Sequence, residues 1–281
     1  MNGKTGIVDV GGGMRGIYAA GVMDYCLDHD IYFDLGVGVS AGSANLASFI
    51  ANQPRRNLQF YTEYAMRKEY MGVSNFLRTG SFIGLDYVYG TLSNHDGESP
   101  LDYSSMEASS MEFMVVATKA DTGEAQYFTK LDICQDHYDV FKASSAIPFV
   151  CKPYVIDGIP YYDGALADPV PVEMAFQAGC EKVVLVLTLP ADHQRSSGKD
   201  EKLANRIRKQ YPQAAEQLKN RANHYNAGVA MAKRYAREGR LLIVAPDDTC
   251  GVSTLTRDKD ALLKLYAKGY QDGEKIAQFL K

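Results

Sequence analysis

Short apolar runs alternate with helix-patterned segments along the chain, and this alternation constrains the fold more than any other feature. An apolar run at 5–10 ends in a cluster of glycines, and a segment with helical spacing of apolar residues follows at 17–28. A second run, at 32–39, ends at Ser40 and leads into helix-patterned residues 41–51. Strands that alternate with helices build mainly parallel sheets covered by helices. The sequence therefore predicts an α/β fold with a central, mostly parallel sheet.

Segments rich in β-branched and aromatic residues predict the remaining strands of this sheet. They lie at 113–118, at 154–156 and 159–162 around the turn Asp157-Gly158, at 182–189 and at 241–245. Amphipathic spacing predicts helices over 54–70 and over most of 200–237, where Pro212 opens a second helix. Residues 71–100 are irregular yet apolar, which is typical of a lid or of a pocket wall.

The length and composition of the chain indicate a globular protein with one large core. Its 281 residues are 46% hydrophobic and 23% charged, and no linker or repeat divides them, so we predict a single domain over 1–281. No apolar run approaches the ~20 residues of a membrane-spanning helix, and the N-terminus lacks the apolar core of a signal peptide. The five cysteines are far apart and form no CxxC pair. We therefore expect reduced core thiols in a cytoplasmic protein rather than disulfides or metal ligands.

The charges of the chain are unevenly distributed, although its formal net charge is only -4. Residues 1–193 carry 12 Lys and Arg against 24 Asp and Glu, whereas residues 194–240 carry 12 against 4. Residues 241–281 carry 6 of each. A basic segment in an acidic protein indicates an anionic surface or partner, or attraction to the acidic body of the same molecule.

Residues 38–42 match the motif GxSxG, with Ser40 between Gly38 and Gly42. A serine at a tight strand-to-helix turn projects out of the fold, and the flanking glycines remove steric clashes there. The amide of Ala41 and the helix N-terminus would then face an oxyanion formed at the serine. The alternative is a serine that caps the helix N-terminus, a role that the same position favours.

The glycine cluster that follows the first strand comprises Gly11, Gly12, Gly13 and Gly16. Parallel strands would bring this loop beside the serine turn at one edge of the sheet, where its bare amides could form an oxyanion hole. The cluster also satisfies GxGxxG, but dinucleotide binding requires an acidic residue at the end of the second strand, and Asp34 lies near its beginning. Arg15 either holds an anion, braces the loop, or is a surface residue at a helix start.

An acyl-transfer serine needs a base, and the sequence offers two candidates. Asp163 ends the predicted hairpin, and although a carboxylate is a weak base in water, a dry and hydrogen-bonded site raises its basicity. The alternative for Asp163 is an ordinary Asp-Gly turn. His193 follows a predicted strand, and the order Ser40, Asp163, His193 suits an α/β-hydrolase triad. Its own segment is polar, and the other histidines are expected to be solvated: His29, His95, His137 and His224.

Taken together, these motifs resemble the patatin-like phospholipase family. The family's GGGxRG loop, GxSxG elbow and distant DG[AG] motif correspond to residues 11–16, 38–42 and 163–165, and its connecting block has an echo at 143–148. The resemblance covers about residues 5–190. Residues from about 194 to 281 form a basic, helical extension outside it, of a kind that bacterial members often carry.

The resemblance implies a three-layer α/β sandwich and a serine-dependent lipid acyl hydrolase, of phospholipase A or esterase type, with a Ser-Asp dyad and no histidine. Ser40 would attack an ester carbonyl, Asp163 would take its proton, and water would cleave the acyl-enzyme. The oxyanion would be held by the amides of Gly11, Gly12, Gly13 and Ala41. Supporting positions would be Arg15, Gly38, Gly42 and Gly164. No metal or cofactor is implied.

The family's substrates are phospholipids and other acyl lipids, and we expect no nucleic-acid partner. Residues 71–100 would form an acyl-chain wall, and the basic residues 194–240 would contact anionic lipid headgroups at the periphery of a membrane. The alternatives are irregular core packing for the first segment and a solvated charged face for the second. Two other functions stay open: a dinucleotide-dependent oxidoreductase built on residues 11–16, and a non-catalytic binding protein on the same scaffold.

Overall fold

A single mixed β-sheet lies at the centre of the computed structural model, which describes residues 3–281. Within this range the sheet has eight strands. They are β1 (Thr5–Asp9), β2 (Leu35–Val39), β3 (Glu112–Lys119), β4 (Ala125–Thr129), β5 (Tyr154–Ile156), β6 (Ile159–Asp163), β7 (Lys182–Val186) and β8 (Leu241–Val244). The order across the sheet is β5-β6-β3-β2-β1-β7-β8, and β4 also pairs with β3.

The strands from β3 through β2, β1 and β7 to β8 are parallel, whereas β4, β5 and β6 are attached to β3 in antiparallel pairings. The predicted mostly parallel central sheet is therefore confirmed. The register pairs Asp9 of β1 with Gly38 of β2, so these two strands end side by side. Asp163, the last residue of β6, pairs with Ala117 of β3.

Helices cover the sheet. Within residues 3–281 the α-helices are α1 (Ile17–Asp28), α2 (Ala41–Ile50), α3 (Arg56–Thr62), α4 (Val73–Thr79), α5 (Tyr103–Ala108), α6 (Asp139–Ser144), α7 (Val172–Gln177), α8 (Gly198–Ile207), α9 (Pro212–Arg237), α10 (Lys259–Asp272) and α11 (Glu274–Phe279). Short 3-10 turns occupy Gly13–Gly16, Tyr64–Met66, Lys130–Asp132 and Gly164–Leu166, and a π-helical turn spans Tyr87–Leu92. None of the helices in the described part of the chain is both long enough and apolar enough to span a bilayer.

Alternate residues of the central strands pack into two hydrophobic cores, one on each face of the sheet. In β1, Ile7 packs in the core that includes α1, α2 and α10, whereas Val8 packs in the core that includes α7 and the later half of α9. Both side chains are fully buried, and such burial contributes about 1.5–3 kcal/mol for each. Two covered faces explain why these strands read as continuous apolar runs. The three-layer α/β sandwich is confirmed.

The segment beyond residue 190 is attached to the body by pairing and by close packing. Strand β8 continues the sheet beside β7 in parallel register. Helix α10 crosses α1 at two glycines: a Cβ on Gly269 would lie 1.9 Å from the Tyr18 carbonyl oxygen, and one on Gly21 would lie 2.2 Å from the Tyr266 carbonyl oxygen. The Tyr266 hydroxyl also donates to the Asp24 carboxylate at 2.8 Å.

Several predicted boundaries need correction. The second strand begins at Leu35 and not at residue 32, because the Asp34 carboxylate turns back to bind the Thr5 amide. The predicted helix over 54–70 is only α3 followed by a 3-10 turn, and the seventh and eighth strands end three and one residues earlier than predicted. The helix over residues 200–237 is two helices, with Pro212 at the start of the second, as predicted.

The cysteine prediction is correct for the core but not for the whole set. Cys26, Cys151 and Cys180 are buried free thiols. Cys134 is exposed and Cys250 is half-buried, so these two are not core residues. Both lie in loops whose polar neighbours keep the chain at the surface.

Candidate active site

Ser40 lies at the turn between β2 and α2, in a strained backbone conformation. Its φ of 56° and ψ of −129° are rare for a residue with a side chain, and such strain is typical of a nucleophile elbow. The Ser40 amide donates to the Ser144 hydroxyl at 2.8 Å, and that hydroxyl donates to the Val116 carbonyl at 2.6 Å. The Ser40 side chain makes no capping hydrogen bond to α2, so the helix-cap interpretation is wrong.

Asp163 lies beside Ser40 at the end of β6. Its amide donates to the Ala146 carbonyl at 3.0 Å, and its carboxylate accepts a 2.9 Å hydrogen bond from the Ala165 amide. Burial raises the pKa of Asp163, and the hydrogen bond from the Ala165 amide and the proximity of the Ser40 hydroxyl oppose that rise. Asp163 is 3% exposed and Ser40 is 6% exposed, so a carboxylate and a hydroxyl meet in a place largely shielded from water.

The glycine loop packs against the serine turn. The Gly11 amide donates to the Asp9 carboxylate at 2.9 Å, and the Gly11 φ of 63° carries the chain across the end of the sheet. A Cβ at Gly11 would lie 2.3 Å from the Val39 carbonyl oxygen and 3.0 Å from the Ala41 nitrogen, so only glycine allows this approach. This loop and Ser40 therefore lie together at one sheet edge, as predicted.

Three amides at this edge have no acceptor among residues 3–281. They belong to Gly12, Gly13 and Ala41. The Gly11 amide is already engaged by Asp9, so Gly11 shapes the loop, and its own N–H is not available for a ligand. Unpaired amides beside a hydroxyl and a carboxylate form a site that can stabilise a developing negative charge.

The other predicted glycines permit close contacts around the same turn. A Cβ at Gly38 would lie 2.5 Å from the Ser43 Cα, one at Gly42 would lie 2.3 Å from the Asp9 carbonyl oxygen, and one at Gly164 would lie 2.2 Å from the Val116 carbonyl oxygen. Each distance is shorter than a non-bonded contact allows. These glycines therefore let the serine turn, the first strand and the aspartate turn pack without side chains between them.

Arg15 is half-buried, so the interpretation as a surface arginine is wrong. Its Nη1 donates to the Thr254 hydroxyl at 3.1 Å, and Met14 next to it donates its amide to the Thr254 carbonyl at 3.0 Å. The Arg15 Nε is shielded from solvent and has no hydrogen-bond partner within the described residues. Burial lowers the pKa of Arg15. The glycine loop is thus braced by residues of the C-terminal segment.

An apolar pocket with about 720 Å³ of empty space opens on one side of Ser40. Residues of the irregular segment 71–100 supply much of its wall, as predicted: Ile83, Leu85, Val88, Tyr89 and Leu92. Phe60, Tyr61 and Tyr70 line it from the preceding segment, and Gly13 and Ala41 lie beside Ser40. The pocket has the lining that an apolar chain requires.

A polar pocket with about 1040 Å³ of empty space opens on the other side of Ser40, and Asp163 lies in its wall. His193 lies in its wall, but the side chain is exposed, and among residues 3–281 no hydrogen bond joins its ring to Ser40 or Asp163. The remaining wall is rich in cations, including Arg15, Arg195, Lys199 and Arg221. The other four histidines line neither pocket.

Two further site types find no support in the geometry. The Asp34 carboxylate accepts from the Thr5 amide at 2.7 Å, at the end of β1 opposite to the glycine loop, so Asp34 does not lie at the loop edge, where a dinucleotide would need it. In the described range 3–281, His, Cys, Asp and Glu side chains form no group of three or more that could hold a metal ion.

Sequence reasoning missed residues that organise the site from behind. Asp9 binds the Gly11 amide with one oxygen and Asn45 Nδ2, at 3.0 Å, with the other, and Asn45 also donates to the Gly16 carbonyl. The sequence did contain a signal for both residues. Asp9 is the one acidic residue in an apolar strand, and Asn45 is an amide residue in a helix of small and apolar residues. Arg195 carried no such signal, because it is one of many cations in its segment.

Comparison with known proteins agrees with the motifs. The sequence profile of the patatin-like phospholipase family matches residues 10–176, and that of a domain of unknown function (DUF6363) matches residues 211–281. The protein YjjU of Escherichia coli (strain K12) is 34% identical over 194 residues, which are 67% of this chain and 53% of YjjU. The chain thus spans about half the length of this curated relative. The crystal structure of VipD from Legionella pneumophila aligns with all of this chain and 67% of its own, at 13% identity and a TM-score of 0.48.

Proposed function

This chain belongs to the patatin-like phospholipase family, and from that premise we propose that it is a serine-dependent lipid acyl hydrolase with Ser40 as nucleophile and Asp163 as base. The observation that carries the proposal is the placement of Ser40 beside the buried Asp163 carboxylate in one pocket wall, where the Ser40 hydroxyl opposes the rise in the Asp163 pKa. The strained turn at Ser40 and the unpaired amides of Gly12, Gly13 and Ala41 support the same roles.

The proposed reaction follows the acyl-enzyme course. Asp163 accepts the Ser40 proton while the Ser40 oxygen bonds to the ester carbonyl carbon, and the carbonyl oxygen becomes an oxyanion beside the free amides. The oxyanion collapses, the C–O bond to the alcohol breaks, and Asp163 returns the proton to the departing alcohol. Water then attacks the acyl-enzyme carbonyl carbon and gives a proton to Asp163. The bond between that carbon and the Ser40 oxygen breaks, Asp163 returns the proton to Ser40, and the carboxylic acid leaves.

The environment of Asp163 supports its use as a base without histidine. Burial raises its pKa, and a carboxylate of higher pKa is a stronger proton acceptor. The same burial places the proton transfer in a medium where water competes poorly for hydrogen bonds. We therefore expect activity to fall as the pH drops through the raised pKa of Asp163, because the protonated carboxyl cannot accept the Ser40 proton.

The dyad is tested by hydrolysis of a short-chain nitrophenyl ester. Ser40→Ala and Asp163→Asn should each lower kcat by roughly 10³-fold or more. His193→Ala should keep the activity, because the His193 ring bonds neither partner. A loss on His193→Ala would favour the triad of Ser40, Asp163 and His193 instead.

Covalent labelling by a fluorophosphonate separates this proposal from a non-catalytic scaffold. The probe should modify wild-type protein at Ser40 and leave Ser40→Ala unmodified, because only an activated serine attacks phosphorus at a useful rate. Asp163→Asn should label slowly. An unreactive Ser40 in folded wild-type protein would contradict an enzymatic function and favour a binding protein on this scaffold.

We propose phospholipids or other acyl esters as substrates, in the cytoplasm or at the periphery of a membrane. The apolar pocket beside Ser40 supports an acyl substrate. The basic residues 194–240 support contact with an anionic lipid surface. Co-sedimentation with anionic and with neutral vesicles tests that contact: binding to the anionic vesicles alone, weakened by salt, is expected.

A further inference from the structure

Two half-buried arginines in the wall of the polar pocket, Arg15 and Arg195, have no carboxylate partner among the described residues. No carboxylate of residues 3–281 lies within 4.0 Å of the guanidinium of Arg15 or Arg195. Arg221 does have one, because Asp200 binds it through two contacts of 2.7 and 3.1 Å. Asp200 and Asp163 are the only carboxylates in the pocket wall within the described residues, so the wall carries excess positive charge.

The guanidinium groups of Arg15, Arg195 and Arg221 line the same pocket. Burial and the like charges of Arg221 and Arg15 together lower the pKa of Arg195 to about 10, although Tyr225 and Asp200 oppose this. Arg195 stacks on the Tyr225 ring at 4.0 Å from the ring centroid. Keeping like charges together away from water costs free energy unless an anion neutralises them. The pocket is therefore built for a negatively charged group.

The backbone around Arg195 is anchored independently of its side chain. The Arg195 amide donates to the Asn226 side-chain oxygen at 2.9 Å, and the Asn226 amide group donates back to the Arg195 carbonyl at 3.0 Å. This reciprocal pair attaches the loop before α8 to α9. The guanidinium is thus held at a defined place, and a substitution of the side chain leaves the anchor intact.

We propose that Arg195, with Arg15 and Arg221 beside it, binds a phosphate group on the alcohol side of the ester that Ser40 cleaves. The two pockets meet at Ser40, one apolar and one cationic, so the acyl chain and the phosphate of one phospholipid would lie on opposite sides of the nucleophile. Guanidinium forks match the oxygens of a phosphate better than any other side chain does. The identity of the ligand as a phospholipid rests on the proposed hydrolase function. The binding of an anion by these arginines does not depend on that function.

Residue 195 lies outside both family matches, between residues 176 and 211. The proposal therefore assigns substrate selection to a loop that the C-terminal segment holds in place. Arg195 is a cation of the basic segment that lines the site, whereas other cations of that segment, such as Arg237 on α9, are exposed. The proposal explains this difference.

The test compares two monomeric esters that differ only in the phosphate: dihexanoyl phosphatidic acid and dihexanoylglycerol. Arg195→Gln should lower the ratio of kcat/KM for the first over the second by about tenfold or more, mainly through KM. Arg195→Lys should regain part of the ratio because it keeps the charge. Lys264→Gln, with the same change of charge at an exposed site of α10 outside the basic stretch, should leave the ratio as in wild type. An equal loss on both esters, or none, would overturn the proposal.

A binding measurement keeps the anion site testable if no ester is cleaved. Calorimetry on Ser40→Ala should detect binding of glycerol 3-phosphate, weakened about tenfold when Arg195→Gln is added and unchanged when Lys264→Gln is added. Inorganic phosphate serves as the second ligand. If it binds through Arg195 while the ester ratio is unaffected, the site takes free phosphate and the headgroup assignment is wrong. Equal affinity of the two double variants for glycerol 3-phosphate would show that Arg195 forms no anion site.

Discussion

Buried carboxylates at two strand ends organise the residues around the active site. Asp9 ends β1 and Asp163 ends β6, and each accepts a hydrogen bond from the amide two residues further along. This local bond shapes the turn that follows, the glycine loop in one case and the Asp-Gly-Ala turn in the other. Burial raises the pKa of both. Asp163 shares a pocket wall with the proposed nucleophile and Asp9 does not, so Asp9 is a positioning residue for the loop.

Asp9 makes the stability of the protein depend on pH. Burial raises its pKa to about 6, above the ordinary value, so the folded state holds a proton that the unfolded state has already released. Stability therefore falls as the pH rises from the ordinary aspartate pKa to about 6. Asp9→Asn should remove that loss, and from about pH 4.5 to about pH 7.5 its stability relative to wild type should improve by roughly 2 kcal/mol.

Chemical denaturation at the two pH values measures this difference. Asp102→Asn is the control, because hydrogen bonds from Ser105 and Ser104 hold the pKa of Asp102 below that range. Its effect on the free energy of unfolding should be the same at both pH values. A pH-independent effect of Asp9→Asn would show that the Asp9 carboxyl ionises alike in both states.

At the scale of elements, the helices and loops that follow the parallel strands build both walls of the site. The turn after β2 presents Ser40, and the loop after β1 brings the glycines over it. The segment between α3 and α5 adds the apolar wall, and the loop before α8 adds the cationic wall. Ligands of open α/β sheets bind at the carboxyl ends of the strands because a crevice forms there between connections that are free to vary.

The apolar wall should control chain length. Val88→Trp adds bulk inside the pocket and should shift the preference among nitrophenyl esters from long towards short acyl chains by about tenfold. Leu77→Trp, on α4 in the same segment, is the control, because Leu77 is 81% exposed and lies outside the pocket lining. Equal profiles for Val88→Trp and wild type would mean that acyl chains bind elsewhere.

The crossing of α1 and α10 should tolerate no side chain at its centre. Gly269→Ala would place a Cβ 1.9 Å from the Tyr18 carbonyl oxygen, so one helix must move away from the core. We expect a loss of about 2 kcal/mol or more in the free energy of unfolding. Gly198→Ala, at the start of α8 where a Cβ meets nothing within 4 Å, should be neutral or slightly stabilising. Thermal and urea unfolding of both variants provide the measurement.

At the scale of the whole molecule, the C-terminal segment is part of the sheet and of the core. Its strand β8 pairs with β7, and Leu262 and Leu265 of α10 are fully buried in the core that also contains α1. Thr254 contacts Arg15 and Met14 in the glycine loop. We propose on these grounds that the chain is a single domain, although separate profiles match its two parts.

Removal of residues 211–281 tests this proposal. The truncated chain would expose the buried faces of α1 and β7 and lose the contacts of Thr254, so it should fail to unfold cooperatively and should lose esterase activity. Circular dichroism with urea unfolding, alongside the nitrophenyl ester assay, measures both. A truncated protein with a cooperative transition and wild-type activity would show that residues 211–281 are an independent domain.

Much of the fold could be predicted from the sequence because the parallel strands are long apolar runs with glycine or serine at their ends. Local signals were weaker elsewhere. Helices α5, α6 and α7 are only six residues long, too short for a helical period to be read, and β4 alternates only weakly between buried and half-buried positions. The irregular segment 71–100 resisted assignment because its short helices depend on contacts with the pocket rather than on their own periodicity.

The local chemistry of the site was determined by the sequence alone: the strained serine turn and the glycine loop depend on neighbouring residues, whose backbone preferences act over a few positions. The tertiary structure alone decided which distant groups join them. Ser40 and Asp163 are separated by 123 positions and meet only because β2 and β6 both flank β3. Arg195 faces the site because Asn226 holds its loop against α9. The number of charges in a segment does not tell which way each side chain points. Only the packing of the folded chain determines which cation of a basic segment faces the site.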